Sequence, residues 1–425
     1  MSRARGGKTP ARSEPEAPAR RRHLTTLHVA TIVAALGAGT GVGALLRPKP
    51  SHAISARVQR ALQNHRNFQG HPGPWGLIEY SRIAVSMPLD YAPGAPETEP
   101  TRWWFRGGTH DSVQAFLTEA GLTPAQLGAI GNDGWVATPD GLMVVPPPQV
   151  VIDLPSATRA RLYNTLAADE RNGSQNTPEI YFPQYIDEHL EGSGLSDPTV
   201  GLIRKLLYPR KSWTLFSDPN VVLASLGTSI ERQRFNKAIH RRMTVMAQLI
   251  IDQNTNIDAM IAYWRYPRRS KALRSLFESL ARVPGGGELD ISHVLTPFAR
   301  ERLYTFPEPS DDPRVLRRDC GWTALNFFSD EPDDRLSTPE YAAQVIQRDY
   351  ERVGAPAFGD VVALIDEDEN SVHLATYLAD NLTFTKNGYN TTQPWMLMST
   401  EDLVERYSIN RAKNLDVWYM RRKQQ

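Results

Sequence analysis

Apolar and polar residues alternate through Trp75-Gly76-Leu77-Ile78-Glu79-Tyr80-Ser81-Arg82-Ile83 and through Thr101-Arg102-Trp103-Trp104-Phe105, the period of half-buried strands. Trp135 to Val145 repeats the pattern on both sides of Pro139-Asp140-Gly141 and predicts a hairpin. Between these pieces, Thr123-Pro124, Asp197-Pro198 and Asp218-Pro219 each set a capping oxygen before a proline, which marks helix starts. Residues 54–309 therefore read as α+β material. Pro307-Glu308-Pro309-Ser310-Asp311-Asp312-Pro313 then breaks all periodicity and predicts a domain boundary at 309/310.

Beyond that break the pattern is denser. Trp322, Leu325 and Phe328 recur at three-residue spacing, so Cys320 stands at the start of a buried helix. Thr338-Pro339-Glu340 opens a second helix expected to run through Val353, stopped at Gly354. Phe358 to Ile365 reads as a buried strand, Asp366 to Asn370 as an acidic turn, and Ser371 to Ala379 as the next strand, which returns after Asp380-Asn381 as Leu382 to Gly388.

The other end of the chain carries an address. An uncharged stretch, Leu24 to Leu46, follows Arg20-Arg21-Arg22 and precedes Arg47. Its length suffices to cross a bilayer, but threonines and four glycines dilute it, which favours an export signal over a strong anchor. Ser51-His52-Ala53 offers small residues for cleavage after Ala53, and the paired arginines resemble a twin-arginine signal. Residues 1–53 are thus read as an export signal, with an inner-membrane anchor through residues 24–46 as the alternative. The expected location is the periplasm or cell envelope, touching membrane only through this segment.

Composition then narrows the function classes. The chain has 425 residues, with 48 Lys and Arg against 47 Asp and Glu. Without the nine bases and two acids of residues 1–53, the remainder has six more acids than bases, which argues against nucleic-acid binding. Cys320 is the single cysteine, so intramolecular disulfides and multi-cysteine metal sites are excluded. His189, His240 and His293 lie too far apart to show a ligand spacing, and Gly285-Gly286-Gly287 lacks the Lys-Ser/Thr of a phosphate cradle. No cofactor and no metal is expected. Tyr263-Trp264-Arg265-Tyr266-Pro267-Arg268-Arg269 reads as an exposed turn with aromatic and cationic pairing.

One thiol at a helix start faces unpaired N–H groups, which lower its pKa and favour the thiolate, although a lone cysteine is most often a small buried hydrophobe. Taken in order, Asp319-Cys320 on a helix start, Gly359-Asp360 before an apolar strand, and His373 near the start of the next strand resemble the NlpC-like cysteine peptidases of papain-like fold. The separation of 53 positions from Cys320 to His373 is similar to that of the family, and the likeness covers about residues 315–410. It departs in two places: Gly321 stands where serine is common, and Asp311 to Arg317 lacks the family's Tyr and Gly pair.

The resemblance implies an NlpC-like domain at 310–425, a hydrolase in which Cys320 attacks a carbonyl carbon and His373 manages the proton. The substrate class it implies is cell-wall (peptidoglycan) peptide. A third residue must fix the imidazole, and the hairpin register decides which. A two-residue loop puts Gly388 opposite His373. A three-residue loop pairs Leu378 with Leu382 and puts Asn387 opposite His373, with Thr385 on the same face; Asn387 is expected first and Thr385 second. The leading reading is an exported cysteine peptidase or amidase. Its rivals are a non-catalytic envelope scaffold that kept the fold and a glycan binder using the tryptophan-rich middle.

Overall fold

The computed structural model describes residues 67–423 apart from 93–98, 192, 266–269, 311, 313–317 and 412, so the expected signal or anchor lies outside the described residues. Among the described residues no helix is long and apolar enough to cross a membrane. The chain is mixed α+β.

The first strands, β1 (Asn67–Gln69) and β2 (Leu77–Val85), are antiparallel. Along its whole length β2 also pairs with a distant strand, β9 (Arg242–Ile251), from Leu77 opposite Ile250 to Val85 opposite Arg242. Residues 86–241 therefore leave and re-enter the molecule at one end of a two-strand ladder. A further strand, β10 (Gly287–Asp290), completes a sheet of order β1-β2-β9-β10.

The excursion has its own core. Its strands are β3 (Trp103–Arg106), β4 (Trp135–Thr138), β5 (Gly141–Val144), β6 (Glu179–Tyr181), β7 (Tyr208–Arg210) and β8 (Trp213–Phe216), arranged as two three-stranded sheets. Helices close them around Trp103, Leu162, Tyr163, Tyr208, Phe216 and Phe235. The predicted hairpin is present, with Thr138 opposite Gly141. Gly141 has φ 150°, and a Cβ there would come within 2.1 Å of the Phe105 carbonyl oxygen.

Of the three predicted caps, Thr123 accepts a hydrogen bond from the Gln126 N–H, as expected. At the second, the helix starts on Asp197 itself, with Ser196 in the cap position. Asp218 precedes its helix but does not cap it, because its carboxylate is spent on Arg159 and Tyr163 inside the core.

The carboxy-terminal part is one antiparallel sheet of β11 (Tyr350–Val353), β12 (Val361–Ile365), β13 (Ser371–Ala379), β14 (Leu382–Lys386), β15 (Trp395–Ser399) and β16 (Asp416–Arg422), in the order β11-β16-β12-β13-β14-β15. The helices Cys320–Leu325 and Pro339–Asp349 pack on one face, and the helix Thr400–Tyr407 covers the other. The second helix ends at Asp349 rather than Val353, because Tyr350 to Val353 form the edge strand β11 against β16.

The expected boundary at 309/310 does not divide the core. Ile78, Leu249, Phe277 and Phe298 share one apolar cluster with Trp322, Leu374 and Leu397. Across the same line the Thr244 hydroxyl donates to the Leu397 carbonyl at 2.7 Å and accepts from its N–H at 3.2 Å. Tyr304 N–H donates to the Trp395 carbonyl at 2.8 Å, and Trp395 N–H to that of Thr305 at 3.0 Å. Prolines end local periodicity, but they do not decide which elements pack together. The separate core is the excursion.

Nor is Tyr263-Trp264 an exposed turn. Trp264 is fully buried and its indole N–H donates to the Trp75 carbonyl, while the Tyr263 hydroxyl donates to that of Leu378. Residues 266–269 of that segment lie outside the described residues.

Candidate active site

Cys320 is the first residue of its helix, and Asp319 caps it by accepting a hydrogen bond from the Trp322 N–H at 2.9 Å. Trp322, Ala324 and Leu325 then pack on the face of β13 that carries Leu374 and Leu378. This presses the helix start onto β13, where the Leu374 backbone N–H points at the sulfur. Asp319 takes up the Trp322 N–H, one of the donors of the helix start, and sets a carboxylate beside the thiol. Burial and the Asp319 carboxylate push the Cys320 pKa up to about 12, against smaller opposing effects of the Leu374 and Gly321 N–H groups and Lys386. The expected thiolate-favouring helix start is therefore corrected. A buried helix end under a carboxylate cap favours the neutral thiol.

His373 belongs to the same strand but faces the other way. It lies opposite Leu364, whereas Ser371 lies opposite Ile365, so Val372 is bulged out. The His373 ring stacks on Tyr407 of the covering helix, with centroids 4.2 Å apart. Its Nε2 shares a 2.8 Å hydrogen bond with the Thr385 hydroxyl, and its Nδ1 is buried with no hydrogen-bond partner among the described residues. Burial, aided by Arg406, lowers its pKa to about 3. The sequence neighbours His373 and Leu374 thus bring imidazole and thiol to one point of β13, but no hydrogen bond joins them.

The hairpin places Thr385 and Asn387 differently around His373. Ala379 lies opposite Leu382, which makes a two-residue turn of Asp380-Asn381, yet the register shifts at Leu378 so that Tyr377 lies opposite Thr383 and Thr376 opposite Phe384. Beyond that bulge the register is the one a three-residue loop would give. Thr385 and Asn387 both fall on the His373 face, and Thr385 is the one bonded to it. Asn387 turns instead to Met396 and Met398, and its Oδ1 accepts from the Tyr407 hydroxyl at 3.2 Å. It reaches His373 only through Tyr407.

Tyr407 and Arg406 escaped the sequence reading. The signal was present, since Leu403 and Tyr407 are four apart on a helix capped by Ser399 and so share its sheet-facing side. Lys386 is fully buried on the cysteine side of the sheet and donates to the carbonyls of Gly388 at 2.7 Å and Asn390 at 3.0 Å. Burial lowers its pKa to about 7, against the pull of Asp319 and Cys320.

Both candidate groups are closed off, with Cys320 at 6% and His373 at 0% exposure. The excursion grips the end of the helix that covers His373. Lys211 Nζ donates to the carbonyls of Ser408 and Arg411, the Ser212 hydroxyl donates to Glu405, and Arg210 donates to Asn410. Ile409 even joins the excursion's core. A cleft of about 840 Å³ lies elsewhere, beside Trp104, Phe105 and Phe116, and its Asp169 is already paired with Arg171 and Arg106. Among the described residues no group of three His, Cys, Asp or Glu side chains could hold a metal ion.

At rest, thiol and imidazole are therefore both neutral near pH 7. Alkylation of Cys320 by iodoacetamide in the folded protein should run about three orders of magnitude slower than that of free cysteine, and should rise tenfold per pH unit from 6 to 10. Asp319→Asn should speed it. A rate that stays level down to pH 5 would mean a resting ion pair and would overturn this account.

Comparison with family models, with curated proteins and with solved structures finds no match for this chain.

Proposed function

We propose that the six-stranded sheet and its helices have a papain-like arrangement of NlpC type and that the protein is an exported thiol hydrolase of cell-envelope peptides, a peptidoglycan endopeptidase or amidase. The observation that carries this reading is the division of labour on His373. Thr385 holds Nε2, Nδ1 has no hydrogen-bond partner among the described residues, and the only thiol of the chain sits on the adjacent residue of the strand. A general base needs one nitrogen fixed and the other free, and that is what the two hydrogen-bond states supply.

With Nε2–H donating to Thr385, Nδ1 carries the lone pair. As sulfur attacks the substrate carbonyl carbon, the thiol proton passes to Nδ1 and the carbonyl π-electrons move to oxygen. Collapse of that intermediate breaks the C–N bond, and the amine leaves with the proton from His373. Water then gives a proton to Nδ1, adds to the thioester and releases the acid, and the sulfur recovers its proton. A hydroxyl at Thr385 orients the ring but adds no counter-charge, which fits an imidazole that is neutral before attack.

The closed state favours one alternative, a non-catalytic envelope scaffold in which Cys320 and His373 are core residues. Incubating the mature protein with purified cell-wall fragments and weighing the products separates the two. The hydrolase reading expects fragments split at an amide with the gain of one water. Intact fragments under conditions that alkylate Cys320 would remove it.

A further inference from the structure

Lys386 is fully buried, and the proton transfers between Cys320 and His373 do not involve it. It is the last residue of β14 and lies directly opposite Trp395 of β15, with its Nζ 6.0 Å from the centre of the Trp395 ring. Opposite residues of an antiparallel pair share a face. Trp395 donates its indole N–H to the Thr323 hydroxyl at 3.0 Å, so this face is the one that carries the Cys320 helix. Continued past Thr376 and Phe384, the register of β13 with β14 sets Lys386 across from Leu374, whose N–H points at the sulfur. Lysine and thiol therefore lie over the same part of the sheet.

Withdrawing an ammonium from water is costly unless acceptors replace its hydration, and it has three donors to satisfy. Two go to the carbonyls of Gly388 at 2.7 Å and Asn390 at 3.0 Å, and the third has no partner among the described residues. The titratable groups that face Lys386 are Asp319 and Cys320, both from the helix start, while β13 and β15 bring Leu374 and Trp395, which carry no charge. Attack by sulfur leaves a negative oxygen on the substrate. The N–H groups of Leu374 and Gly321 are already turned to the sulfur, so that oxygen needs another donor.

We propose that Lys386 is a catalytic residue that binds the oxyanion, its third N–H donating to the substrate carbonyl oxygen as sulfur attacks the carbon. The inference rests on the hydrolase reading for its reaction, but an adduct that tests it needs no turnover. Lys386 already holds two peptide carbonyls, and a third one at the sulfur is the same kind of acceptor. Charge grows on that oxygen during attack, so a fixed ammonium in a dry site stabilises the transition state more than the bound substrate. Lys386→Met should therefore lower kcat about 10²- to 10³-fold with KM little changed. Burial brings the ammonium's pKa to about 7, so the charge is present below that pH and lost above it.

The test is calorimetric binding of a peptide aldehyde, N-acetyl-alanyl-alaninal, to the full-length protein. Its carbonyl carbon bonds to sulfur, the π-electrons move to oxygen, and the thiol proton passes to Nδ1 of His373, with no leaving group to follow. Lys386→Met should weaken this adduct at least about thirtyfold at pH 6, as the loss of one oxyanion donor requires. Iodoacetamide is the control, because sulfur there displaces iodide and no charge forms on oxygen; its rate should change by less than about threefold. Equal losses with both reagents would mean that Lys386 acts on packing or on the thiol, and would overturn the assignment. An unchanged aldehyde affinity, or no adduct on a Cys320 that iodoacetamide labels, also overturns it. Should Lys386→Met fail to fold, the wild type carries the test: its affinity should drop at least about tenfold between pH 6 and pH 9, and equal affinity at both overturns the assignment. Lys386→Arg, which stays charged, should hold its affinity to pH 9. A Lys386-dependent adduct in a protein that cleaves no wall fragment would support the oxyanion site and remove the hydrolase. Cleavage undiminished in Lys386→Met would do the reverse.

Discussion

Cys320→Ala should lower kcat/KM for any fragment the wild type cleaves by at least about 10³, because the acyl group then has no sulfur to join. His373→Ala should cost about as much, and the double variant little more, since nucleophile and base act as one unit. The sharper contrast lies between the two candidates for the third position. Thr385 bonds to Nε2 directly, so Thr385→Val should lower turnover about 10- to 100-fold by freeing the ring to change tautomer. Asn387→Ala removes only a partner of Tyr407 and should cost a few-fold. Steady-state rates with melting curves for each variant decide it. Undiminished hydrolysis in Cys320→Ala would exclude the thiol mechanism, and a larger loss in Asn387→Ala than in Thr385→Val would reverse the assignment of the third residue.

The elements around the site were legible because each carries a local pattern. Ser371 to Ala379 is a strand at the bounds its composition predicts, and the spacing of Trp322 and Leu325 is that of a helix pressed on a sheet. What could not be read was set at a distance. The Cys320 environment depends on the Asp319 cap and on burial, and a lone dipole argument gives the wrong sign. The third residue turned on a bulge at Leu378 that reconciles a two-residue turn with a three-residue register, and no residue type there announces it.

The division of the chain failed for a related reason. Proline-rich residues 307–313 look like a linker, while the true separation is a pairing of β2 with β9 across residues 86–241. Non-local strand pairing leaves no periodic trace in a single sequence. It also places Lys211 and Ser212 against residues 405–411, so the excursion touches the end of the helix that covers His373.

Asp218→Ala should lower the stability of the excursion by about 3–5 kcal/mol, through the charge it strands rather than the contacts it deletes. Arg159 is fully buried, and among the described residues its one carboxylate partner is Asp218 at 2.8 Å; its other bonds go to the carbonyls of Val151, Leu154 and Lys205. Tyr163 loses its acceptor at the same time. Because the excursion has a core of its own, the loss should not spread evenly. A first thermal transition should split off at a temperature lower by about 10 °C or more, with the six-stranded sheet melting later. Arg159→Met combined with Asp218→Leu should restore part of the loss, since a buried ion pair replaced by apolar side chains leaves no stranded charge. If the excursion closes the site, iodoacetamide labelling of Cys320 in Asp218→Ala should accelerate across the first transition, before the sheet unfolds. Labelling that waits for the second transition would mean that the sheet and its own helices bury the thiol without help, and the grip of Lys211 and Ser212 on residues 405–411 would then be a docking contact with no bearing on access.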